Sequence, residues 1–116
     1  MKKHDIPDED RLHHIKDAIS FIFTQTTGIT EDEFYRAEVL KRAVVRELEV
    51  IGEAANGISD ELKLSNPEVP WRQMIATRHR IIHEYFHVNY VTVWGIIQND
   101  LLALNKQVEK ILEERL

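Results

Sequence analysis

A chain of 116 residues without cysteine has length for one hydrophobic core, and it excludes a disulfide framework, a thiolate zinc site and a cysteine nucleophile. Its formal charge of −5, from 15 Lys+Arg against 20 Asp+Glu, argues against a general polyanion coat held on by counterion release. No apolar run approaches a membrane span, and the opening MKKHDIPDED turns acidic where a leader would turn apolar, so a soluble, cytoplasmic, single-domain chain over 1–116 is expected.

Apolar periodicity is helical throughout, and an all-α, up-and-down antiparallel four-helix bundle with one additional short helix is the predicted architecture. The first helix, about Asp8 to Gln25, puts Leu12, Ile15, Ile19, Ile22 and Phe23 on one face; Thr26-Thr27-Gly28 supplies its stop. Thr30 and Glu33 form a capping box, with Ile29 and Phe34 placed as a hydrophobic staple. The stripe that follows, Phe34, Ala37, Leu40, Val44, Leu48, Ile51, Ala55 and Ile58, predicts one long second helix.

Gly57, Asn66-Pro67 and Pro70 punctuate the stretch after it, leaving room for a short helix started by Ser59 or Asp60. Pro70 suits the first position of a third major helix running to about Tyr85. Asn89 caps the last, whose stripe is Tyr90, Trp94, Ile97, Leu101, Leu104, Val108 and Ile111. The two long stripes carry more apolar surface than a four-helix monomer needs, which points to a dimer face.

The third helix holds the anomaly. From Trp71 to Tyr90 there are three arginines, Arg72, Arg78 and Arg80, against Glu84 alone, so this window is +2 in a chain whose remainder is −7. Trp71, Met74, Ile75, Ile82 and Tyr85 mark an apolar stripe, and Arg78 falls inside it, where binary patterning calls for an apolar residue. A guanidinium there needs an anion: an internal carboxylate, Glu53 or Glu49 of the second helix, or a ligand phosphate. On an unbroken helix Tyr85 lies about 20° from Arg78 and His83 about 140° away, so His83 joins them only if the helix ends or distorts nearby.

His79, His83 and His87 have the i, i+4, i+8 spacing of a shared metal, but Arg, Ile and Ile separate the first two, with no carboxylate to act as base. No metal and no cofactor are therefore assigned; a histidine-clustered metal hydrolase is the third-ranked reading. For phosphodiester chemistry the inventory is better. Histidine can take a proton from a ribose 2′-OH or give one to a 5′-oxygen, and arginine can stabilise charge gathering on phosphorus. Each chain offers one well-placed proton carrier, so a homodimer would complete the pair.

Arg78-x4-His83-x-Tyr85, within RHRIIHEY, resembles the R-x4-H-x-Y motif of the HepT toxins in the HEPN superfamily. LEVIGEAA resembles that family's long second helix, NPEVPW its loop before the motif, and YFHVNYVTVWGIIQNDL its passage into the last helix. The resemblance implies a HEPN-like helical domain that dimerises around a shared cleft and cleaves RNA without metal. It also implies a toxin of a type VII toxin–antitoxin pair, silenced by an MntA-like nucleotidyltransferase that transfers AMP from ATP to the motif tyrosine. Carried onto this chain, Arg78 would stabilise the scissile phosphate, His83 would be the general acid/base and Tyr85 the AMP acceptor; His79, where the wider superfamily most often has asparagine, is a candidate supporting residue, as is Glu53 from the reading of the residues alone. The alternative is a non-catalytic helical nucleotide-binding or interaction partner of a nucleotidyltransferase.

Overall fold

The computed structural model describes residues 6–82 and 87–115. Among them are eight helices: α1 Asp8–Thr26, α2 Glu31–Arg36, α3 Glu38–Gly57, α4 Asp60–Ser65, α5 Trp71–Ile75, α6 Thr77–Ile81, α7 Tyr90–Asn99 and α8 Leu101–Glu114. The all-α fold is as expected, and the described residues contain no strand beyond one isolated antiparallel bridge between Ile82 and Val88. No described helix is long and apolar enough to cross a membrane.

α1 follows its periodicity. Leu12, Ile15, Ile19 and Ile22 are fully buried against α3 and α8, each worth roughly 1.5–3 kcal/mol as apolar surface removed from water. Thr26 and Thr27 then donate their hydroxyls to the carbonyls of Ile22 and Phe23 (2.7 and 2.5 Å), and Gly28 turns away at φ +83°. At the other end of α1, Asp8 accepts from the Ser59 amide and hydroxyl (2.9 and 2.6 Å), tying it to the start of α4, which Ser59 caps.

Each of the other three long helices is broken once. The second divides at Ala37 (φ −88°, ψ 82°) because its halves have different partners. α2 turns Phe34 into the rings of Tyr90 and Trp94 on α7 (6.4 and 5.2 Å between centroids), whereas α3 lies along α1 and α5. The capping box forms as read: Glu33 donates its amide to the Thr30 hydroxyl (3.1 Å) and accepts the Thr30 amide (2.9 Å). That Thr30 amide first, and then its hydroxyl, hold the Glu33 carboxyl below its ordinary range. The last helix steps at Asp100 yet keeps its stripe, with Ile97, Leu101, Leu104, Val108 and Ile111 all buried; Asn89 caps it through the Thr92 amide (3.1 Å).

The third helix departs most from the expected Pro70–Tyr85. α5 stops at Ile75, Ala76 takes φ −83° and ψ 5°, and α6 ends at Ile81, with Ile82 already extended at φ −106°, ψ 124°. The loop before it is pinned by the Trp71 indole on the Asn66 carbonyl (3.0 Å) and by Gln107 on the Glu68 carbonyl (3.1 Å). On its inner side it packs against α3 at Gly52, where a Cβ would stand 2.8 Å from the Met74 carbonyl oxygen; only a glycine allows so close an approach.

Candidate active site

The break at Ala76 changes which side chains face inward. The expected buried stripe included Ile75 and Arg78; the buried residues are Trp71, Met74, Thr77 and Ile81, while Arg78 is exposed and Ile75 is 38 % exposed. Arg78 is therefore not a charge embedded in the apolar face, as binary patterning implied. It stands beside that face, turned toward α3.

Two clefts flank α6. In the first, of about 400 Å³, Arg78 and His79 share the walls with Arg46, Glu49, Glu53 and Asn56. Those four residues of α3 are spaced i, i+3, i+7 and i+10, one polar face beside the buried row of Val44, Leu48, Ile51 and Ala55. Both carboxylates named as counter-groups for Arg78, Glu53 and Glu49, thus lie in its cleft. The walls carry two guanidinium groups against two carboxylates, so a phosphate there would meet cationic groups with acceptors close by.

In the second cleft, of about 270 Å³, Arg80 faces Gln73, Asn99, Asp100 and Gln107 over an apolar floor that includes Met74, Ile96 and Leu104. Arg80 pairs with Asp100 at 3.3 Å, so its charge is directed to the α7–α8 junction rather than to Arg78. Neighbouring arginines in the sequence thereby serve different faces of the molecule.

His83 and Tyr85, with Glu84 and Phe86, lie outside the described residues. What the structure does give is their frame. The helix ends at Ile81, which is the condition set for His83 to approach Arg78; the phase argument that put Tyr85 and Arg78 on one helical face no longer applies. Ile82 and Val88 pair as an antiparallel bridge and the Asn89 amide donates to the Ile81 carbonyl at 2.6 Å, so the chain enters and leaves the second half of the motif at one place. That early end also removes the helical face on which His79, His83 and His87 were spaced. Among the described residues no group of three or more His, Asp or Glu is placed to hold a metal ion.

Arg46, Asn56, Thr77 and Gly52 were not singled out in the sequence. For Gly52 the signal was present, a lone glycine inside a helical stripe, which commonly marks a close packing contact. Arg46 and Asn56 carried none, because solvated polar faces are common on helices of this composition.

The sequence pattern of the family described as Ribonuclease HepT-like matches residues 15–111, a span that includes both clefts. A protein of Caldanaerobacter subterraneus subsp. tengcongensis, named for an inferred RNase activity, is 39 % identical over 103 residues, covering 89 % of this chain and 92 % of that protein. A Methanocaldococcus jannaschii protein named in the same way is 37 % identical over 105 residues, covering 90 % and 84 %. A third, from Thermococcus cleftensis and named for an inferred HepT ribonuclease activity, is 36 % identical over 103 residues, covering 89 % and 94 %. No solved structure matches the chain.

Proposed function

We propose that this chain, which belongs to the Ribonuclease HepT-like family and is a ribonuclease, is a toxin that cleaves RNA endonucleolytically without metal, from a site completed by a second copy. The observation that carries the reading is the exposed Arg78 in its cleft against α3, beside a helix that ends three residues later. Arg78 stabilises the negative charge that gathers on the scissile phosphate. His83 of one protomer removes the proton of the ribose 2′-OH as that oxygen attacks phosphorus. His83 of the other protomer delivers a proton to the departing 5′-oxygen. The bond to phosphorus forms from the 2′-oxygen and breaks to the 5′-oxygen, leaving a cyclic phosphate and a free hydroxyl. Neither proton transfer needs a metal.

The test is cleavage of bulk tRNA and of messenger RNA in the presence of EDTA. Wild type is expected to cleave, with Arg78→Ala and His83→Ala each slower by about a hundredfold or more, the scale of losing one stabilising or proton-transferring group. Wild-type rates in both variants would overturn the assignment.

Silencing by an MntA-like nucleotidyltransferase belongs to the same proposal. AMP placed on the Tyr85 hydroxyl would add a negatively charged phosphate and a bulky nucleoside within the motif that carries Arg78 and His83, opposing RNA by bulk and by charge. Intact mass after incubation with ATP and that transferase is expected to rise in AMP steps, and an equal gain in Tyr85→Phe would rule that tyrosine out.

A further inference from the structure

We propose that Thr77 is a positioning residue for this reaction: its buried hydroxyl holds the break between α5 and α6 that turns Arg78 out of the core and into the α3 cleft. The inference rests on the reading that Arg78 acts on the scissile phosphate.

On an uninterrupted helix, Arg78 comes four residues after Met74 and seven after Trp71, so it would share their inward face. Trp71 and Met74 are indeed buried, but the next inward residues are Thr77 and Ile81, and the buried face has moved by roughly one residue position. The Thr77 hydroxyl accounts for the shift. It lies 2.7 Å from the Met74 carbonyl and 3.2 Å from that of Gln73, and so can donate to either, the shorter contact being the better one. The Met74 carbonyl is the acceptor that an uninterrupted helix would assign to the Arg78 amide. A threonine hydroxyl bonded back into the preceding turn bends a helix, and the bend sits one residue earlier, at Ala76.

The same carbonyl is confined from the opposite side. It faces Gly52 of α3 so closely that a Cβ there would come within 2.8 Å, so any side chain at 52 would press on it. Met74's oxygen thus sits in a slot bordered by the Gly52 backbone, the Thr77 hydroxyl and the Ala76 amide. The residue that closes that slot immediately precedes Arg78 and itself lines both clefts. Without the hydroxyl, the Met74 carbonyl keeps the contact from the Ala76 amide and can accept from the Arg78 amide. The helix can then run on through Ala76, which carries the guanidinium toward the Trp71–Met74 face and away from Glu49, Glu53 and His79.

The experiment compares kcat and KM for bulk tRNA cleavage in EDTA for wild type, Thr77→Val, Thr77→Ser, Gly52→Ala, Arg78→Ala and the Thr77→Val/Arg78→Ala double variant. Valine keeps the shape and removes the donor, and serine keeps the donor. Thr77→Val is expected to lose about tenfold or more in kcat with KM within about threefold, the scale of a small misplacement of a catalytic group. Thr77→Ser should stay within about threefold of wild type. In the Arg78→Ala background, Thr77→Val should cost less than about twofold, because its effect passes through Arg78. Wild-type kcat in Thr77→Val, an equal loss in both backgrounds, or a serine variant as slow as the valine one would each overturn the proposal. If Thr77→Val does not fold by circular dichroism, Gly52→Ala decides, since it presses on the same carbonyl with Thr77 in place: a lowered kcat supports the slot and a wild-type kcat overturns it. Failure of the ribonuclease reading looks different, as wild-type cleavage by Arg78→Ala itself.

Discussion

α1 and the α5–α6 segment start from the same kind of sequence, an apolar residue every three or four positions, and end as different objects. In α1 the inward positions Leu12, Ile15, Ala18, Ile19 and Ile22 are apolar and buried, with Arg11 and Thr26 buried at its two ends, and the helix runs unbroken for 19 residues. In α5–α6 an arginine falls in phase, and the chain answers by breaking the helix, burying the adjacent threonine and leaving the arginine outside. Burying Thr77 in place of Arg78 spares a desolvated charge, because the threonine hydroxyl finds a backbone acceptor at once; where α1 does bury a guanidinium, that of Arg11, it packs at the helix end against Gly57 of α3. A charge out of register in a helical stripe thus foretells a helix break as readily as a buried ion pair.

The contrast can be sharpened by perturbing each region separately. Ile19→Ala, at a fully buried site on α1, is expected to cost about 2–5 kcal/mol in urea unfolding while leaving RNA cleavage near wild type below the melting transition. Arg78→Ala should show the opposite pattern, with cleavage lost and stability changed by no more than about 1 kcal/mol, the scale of an exposed ionic contact. A large stability loss in that variant would return Arg78 to a structural role.

A smaller effect is expected at the start of α2. Thr30→Ala removes a capping box and should cost about 0.5–2 kcal/mol in thermal unfolding. The same box gives a pH signature. Glu33 has its folded pKa below the unfolded value, so its contribution is fully present above the ordinary carboxylate range and is lost as pH falls through the lowered pKa. The larger cause, the amide of residue 30, survives in Thr30→Ala, so acid titration of stability should flatten only in part in that variant across that window. Smallest of all is Arg80→Ala. Its pair with Asp100 is partly exposed and worth about 0–1 kcal/mol, and cleavage should stay within a few-fold, since Arg80 faces the second cleft. A loss of cleavage as large as that of Arg78→Ala would place both arginines in one site.

Much of the bundle was legible in the residues because its signals are local. The Thr30–Glu33 box, the Ser59 and Asn89 caps and the stop at Thr26–Gly28 all form within four residues of chain, so no distant partner can overrule them. The breaks at Ala37 and Ala76 were not legible. The first arises because α2 and α3 pack on different neighbours. The second involves a contact far along the chain, the Met74 carbonyl facing Gly52, which lies 22 residues before it, so the bond from Thr77 alone does not announce it.

The helical class, both ends of the first helix, the capped starts at Thr30, Ser59 and Asn89, the family through Arg78-x4-His83-x-Tyr85, and Glu53 and Glu49 as carboxylates near Arg78 were readable from the residues. That Arg78 stands outside the core, that Arg80 serves a separate cleft, and that Arg46 and Asn56 share the walls around Arg78 came from the packing of α3 against α5 and α6. The physical reason is that periodicity specifies which residues would align on an ideal helix. Whether that helix stays ideal depends on how closely a second helix approaches it and on which carbonyls the contact leaves free.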